Sequence, residues 1–66
     1  MSNAVPALFA AITAKLEDLH AIAIEGQRRD NSPDIQRALA RLLRSGTGSI
    51  NRTINSVGKQ VDASDE

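Results

Sequence analysis

The stretch VPALFAAITAKLEDLHAIAIEG, residues 5–26, decides the fold. Within it Val5, Phe9, Ile12, Leu16, Leu19, Ala23 and Gly26 recur at alternating steps of four and three. That alternation holds one face of a helix against a partner for about six turns. Leu8 and Ile22 sit one place before Phe9 and Ala23, so the apolar stripe is broad rather than a thin seam. A stripe this wide needs more than one neighbouring helix to cover it.

Working outward, the first helix is expected over about residues 6–29, because proline fits a first helical turn where its missing N–H costs nothing. Gly26 allows two readings: a stop, or an inward position where two backbones approach closely. Arg28 and Arg29 suit a helix C-terminus in either case. The segment Asp30-Asn31-Ser32-Pro33-Asp34 is a break signal. Ser32 can cap, Pro33 fits the first helical position and Asp34 favours the positive helix end. A connection this short makes the flanking helices antiparallel neighbours.

A second helix follows over about residues 33–45, with Ile35, Leu39 and Leu42 keeping the four-three rhythm and Ala38 and Leu43 widening the face. Ser45-Gly46-Thr47-Gly48-Ser49 then interrupts it, since each glycine costs a helix interior about 1 kcal/mol relative to alanine. The rhythm resumes, one residue out of phase, at Ile50, Ile54, Val57 and Val61. This predicts a loop or distortion and then a weaker third amphipathic helix over about residues 49–61. Residues 62–66 read as a frayed acidic tail. No alternating apolar run marks a strand, and Phe9 is the only aromatic residue. The class is all-α: one small domain, residues 1–66, holding an antiparallel hairpin and a weaker third helix.

Sixty-six residues give a marginal core. A domain near this size buries only about 60% of the surface its unfolded chain exposes. With no cysteine and one histidine, disulfides and a closed zinc site are excluded as supports, which leaves oligomerisation. The expectation is a dimer of hairpins forming a four-helix-type bundle. Its interface would comprise Val5, Phe9, Ile12, Leu16, Leu19, Ile35, Leu39, Leu42 and Leu43. The low-helicity segment bearing Ile50, Ile54, Val57 and Val61 suits the groove of a second, unidentified protein partner. The longest uncharged run, residues 1–14, is too short to span a bilayer and opens with no basic residue, so no membrane partner is expected and the cytoplasm is the expected compartment. Ser2-Asn3-Ala4 carries no functional weight.

Formal charge is zero but unevenly placed. Residues 1–26 hold Lys15 against Glu17, Asp18 and Glu25, a net −2. Residues 27–59 hold Arg28, Arg29, Arg37, Arg41, Arg44, Arg52 and Lys59 against Asp30 and Asp34, a net +5. An acidic first helix beside a basic second one favours antiparallel pairing. Arg37, Arg41 and Arg44 line one side of the second helix, a pattern that can track phosphates. The simpler reading is a solvated face pairing with Glu17, Asp18 and Glu25, and the lack of aromatics offers no base stacking.

Two other patterns carry less. Glu17-x-x-His20 has the spacing of a di-iron helix, yet Leu16, Leu19 and Ala23 take the inward places and no further inward carboxylate follows Asp34. Gly46-Thr47-Gly48-Ser49 lacks the strand and lysine of a nucleotide loop. No cofactor, metal or catalytic residue is expected, and no enzyme. The sequence therefore predicts a non-enzymatic helical interaction module acting as a homo-oligomer, with nucleic-acid binding through the arginine row as the alternative.

Overall fold

The computed structural model of the chain describes residues 4–64. Ser2, Asn3 and the last two residues of the expected acidic tail, Asp65 and Glu66, lie outside that range. Two helices account for the fold, α1 over Val5–Gly26 and α2 over Pro33–Ser64, and no strand occurs among the described residues.

Each helix begins where local chemistry allows. Ala4 stands at the N-cap of α1 without a side-chain cap bond, and Pro6 sits in the first turn. Ser32 caps α2: its Oγ accepts the Ile35 backbone N–H at 3.3 Å, while its carbonyl accepts the Gln36 N–H at 2.9 Å. Pro33 then opens the helix and Asp34 lies in the acidic first turn. The end of α1 comes at Gly26 rather than near residue 29, because Asn31 Nδ2 reaches back to donate to the Glu25 carbonyl at 2.8 Å. No glycine takes a positive φ, so Gly26 is the last helical residue and not a left-handed cap.

The connector is short and the helices pair antiparallel along a single seam. Gly26 faces Leu39, whose Cδ1 lies 4.0 Å from where a Cβ on the glycine would be. Seven residues further along each helix, Leu19 rests on Gly46. Continuing that register sets Ile12 level with Thr53 and Val5 level with Gln60. Most half-buried helical positions repeat the pattern: Val5, Leu8, Ile12, Lys15, Leu19 and Ile22 on α1, with Leu39, Leu43, Gly46, Ile50, Thr53 and Val57 on α2, while Gly48, Ser49 and Ser56 are half-buried outside it.

The predicted third helix is absent, because α2 runs unbroken through Gly46 and Gly48. The phase shift inferred from Ile50, Ile54, Val57 and Val61 came from following large apolar residues alone. Gly46 and Thr53 hold the inward places, and with them the four-three rhythm never slips. Gly46 is there for proximity, since a Cβ would overlap Leu19 Cδ2 and stand 3.1 Å from its Cγ. The hydroxyl-bearing residues beyond it are accommodated by bonds to the preceding turn. Thr47 Oγ1 donates to the Arg44 carbonyl, Thr53 Oγ1 to Ser49 and Ser56 Oγ to Arg52. Helix continues through Asp62 to Ser64, where a frayed tail was expected.

The result is a slab two helices wide and one deep. Its Cα extents are 54 × 14 × 11 Å. The radius of gyration is 15.7 Å, against about 11 Å for a compact domain of this length. The glycines give a direct test by urea denaturation followed in the far ultraviolet. Gly58 has open space around it, so Gly58→Ala should stabilise the chain by about 0.5–1 kcal/mol. Gly46→Ala should instead destabilise by about 1–3 kcal/mol, as overpacking outweighs the gain in helix propensity. Equal effects at the two sites would contradict the seam as described.

Candidate interaction surfaces

Among the described residues no side chain is fully buried, polar or apolar. A two-helix slab has only one internal seam, and each apolar side chain in it keeps an open flank. Seven large hydrophobic residues remain about half exposed: Phe9, Leu16, Ile24, Ile35, Leu42, Ile54 and Val61. Phe9 is 56% exposed and Leu42 53%.

The antiparallel register and a rotation of about 100° per residue sort these side chains onto the slab's two broad faces. One face carries Phe9 and Leu16 from α1 with Ile54 and Val61 from α2. The other carries Ile35 and Leu42. Ile24 points off the outer edge of α1. The first face also opens into a cleft of about 310 Å³ near the connector, lined by Ile22, Ala23, Gly26, Gln36, Leu39 and Ala40 among others. Small residues at 23, 26 and 40 make that cleft, and it is overwhelmingly apolar.

The expected interface residues thus divide. Val5, Ile12, Leu19, Leu39 and Leu43 pack in the seam within one chain, whereas Phe9, Leu16, Ile35 and Leu42 face solvent. The expected partner-binding set divides in the same way, Ile50 and Val57 into the seam and Ile54 and Val61 outward. Lys15 escaped the sequence reading as anything but a charge. It occupies an inward place on α1, half-buried in the heptad position between Ile12 and Leu19, where a lysine stem can cover apolar surface while its ammonium stays in water.

Charge does not join the two helices. The ion pairs are Arg28–Glu25 at 3.1 Å, Arg28–Asp30 at 3.0 Å and Arg37–Asp34 at 2.9 Å, all local in sequence. None links α1 to α2 among the described residues. The expected attraction between an acidic and a basic helix is therefore not the force that pairs them. Geometry explains why: Glu17 lies on the far edge of α1 and the arginines on the far edge of α2, separated by the width of the slab, roughly 20 Å. Arg28 clamps the connector. Its guanidinium bonds both Asp30 oxygens and Glu25, so Asp30 first and Glu25 second raise its pKa above the ordinary arginine value.

Glu17 and His20 are both exposed, and no group of three or more acidic, histidine or cysteine side chains is placed to hold a metal among the described residues. Among the described residues no helix is long and apolar enough to cross a membrane. The sequence matches no protein-family model and no curated protein, and no solved structure matches it.

Lys15 provides a check on the seam. Lys15→Leu should raise stability by about 1 kcal/mol, since a half-buried inward place gains apolar area. A lower thermal midpoint in the variant would show that the ammonium, rather than the stem, is what the position uses.

Proposed function

We propose that this chain is a non-enzymatic interaction module that works as a homo-oligomer, its copies pairing through the face built by Phe9, Leu16, Ile54 and Val61. The single observation that carries the reading is area. The chain exposes 5305 Å², whereas a compact monomer of 7.0 kDa would expose about 4,000 Å². The excess of about 1,300 Å² exceeds the roughly 800 Å² that each partner contributes to a standard stable interface.

The chemistry of the face agrees with this reading. Four large apolar side chains and an apolar cleft share one side of the slab, without an intervening charge cluster. Two such faces laid together give a four-helix arrangement in which each seam residue gains the cover it lacks within one chain. Burying one such side chain contributes about 1.5–3 kcal/mol. Ile35 and Leu42 stay on the outer side of this pair and are available to a second protein, which is what an adaptor or assembly subunit requires.

Sedimentation velocity across a concentration series tests the proposal. The native chain should sediment as a dimer or larger species at micromolar concentration. Phe9→Glu with Leu16→Glu should shift it to monomer, because each substitution sets a charge where an apolar contact forms. A native chain that remains a folded monomer at every concentration would overturn the reading. Peptide absorbance must report concentration, since the sequence has neither Tyr nor Trp.

A further inference from the structure

The outer edge of α2 carries a feature that self-association does not use. Because α2 is continuous through its glycines, Arg52 and Lys59 stay in line with Arg37, Arg41 and Arg44. With Gly48 and Asn55 filling the intermediate places, the row steps by three or four residues throughout. It covers about 33 Å at 1.5 Å per residue. It lies roughly half a turn from the seam residues Leu39, Leu43, Gly46 and Ile50, and all five cations are exposed.

We propose that this edge binds the phosphate backbone of duplex nucleic acid. Three observations support duplex nucleic acid over other polyanions. First, no Asp or Glu occurs from Ile35 through Val61. Arg37 is held by Asp34, but Arg41, Arg44, Arg52 and Lys59 have no ion-pair partner among the described residues. Second, the residues between the cations include Gly48, Asn51 and Asn55, small or hydrogen-bonding. A protein interface carries an apolar centre, and a membrane surface needs apolar residues beside the charges. The large apolar groups of α2 lie instead on the broad faces or in the seam. A polar, strongly positive and wet strip is the composition of a nucleic-acid contact. Third, Phe9, the sole aromatic, is on α1, so the edge has nothing on which single-stranded bases can stack.

The row also lies on one continuous helix. A single helix fixes the spacing of the cations before binding, so little ordering is required of the backbone. The absence of a side chain at Gly48 leaves room for Arg52, whose Nη1 lies 3.6 Å from where a Cβ would be. That guanidinium therefore lies along the row. Acidic edges of other copies are poor alternative partners, because Glu17 is the only carboxylate on the far edge of α1.

Fluorescence anisotropy with the full chain tests the proposal. The probes are a 24-base-pair DNA duplex, the RNA duplex of the same sequence, a single DNA strand and phosphatidylserine vesicles. Binding to at least one duplex should exceed binding to the single strand and the vesicles, and the two duplex arms tell DNA from RNA. For four phosphate contacts, affinity should fall about 100-fold between 50 and 200 mM salt. Arg41→Gln with Arg44→Gln and Arg52→Gln should weaken binding at 50 mM salt at least about tenfold, with helicity unchanged. Glu17→Gln should not weaken it. The proposal is overturned if neither duplex binds at 50 mM salt, if vesicles or single strands bind better, or if the native affinity ignores salt. Full affinity in the triple variant would overturn it as well. The salt series on the native chain decides the matter even if the variant fails to fold.

Discussion

The contact of Leu19 with Gly46 sets everything else in this molecule. A helix pair needs a register, and the register here is fixed where a large side chain fills the place a small one vacates. From that point the seam repeats in both directions, Gly26 against Leu39 toward the connector and Ile12 level with Thr53 toward the open end. The price of Gly46 in helix propensity is offset by close approach, and hydroxyls bonded to the preceding turn hold the poor helix formers that follow. One glycine thus acts on two levels, weakening α2 as an isolated helix while binding it to α1.

The same contact explains why the molecule presents so much apolar surface. A single seam leaves none of the described residues enclosed, so the side chains that flank it, Phe9, Leu16, Ile54 and Val61 among them, face outward by geometry. Stability and recognition draw on the same stripe. The polar residues are sorted equally strictly. Connector charges pair with one another through Arg28, whereas on the outer edge of α2 only Arg37 is paired, and Arg41, Arg44, Arg52 and Lys59 have no ion-pair partner among the described residues. The slab therefore offers two chemically distinct surfaces at right angles, one apolar and broad, the other cationic and narrow.

Much of this was legible in the residues. Ser32, Pro33 and Asp34 announced the start of α2, and the four-three rhythm announced helices pairing as a hairpin. The position of Gly46 was not legible, because a glycine inside a helical pattern reads as a stop unless its neighbour across the seam is known. That neighbour is 27 residues away in sequence. Counting only large apolar side chains then turned a continuous heptad into two segments out of phase. It also placed Phe9 and Leu16 inward, where Leu8 and Lys15 sit instead. A lysine among inward positions carries no apolar signal, and only packing reveals that the position is half-buried. The arginine row was visible, but its full length depended on whether the glycine pair broke the helix.

The connector has a kinetic consequence. Only six residues separate Gly26 from Pro33, and Asn31 and Arg28 already tie that segment to the end of α1. Closing so short a loop takes on the order of 100 ns or less, and helix growth is faster than chain encounter. Pairing of the two helices within one polypeptide can therefore begin at the turn. That first step inside a chain is independent of how many copies are present, whereas any joining of copies quickens with their number.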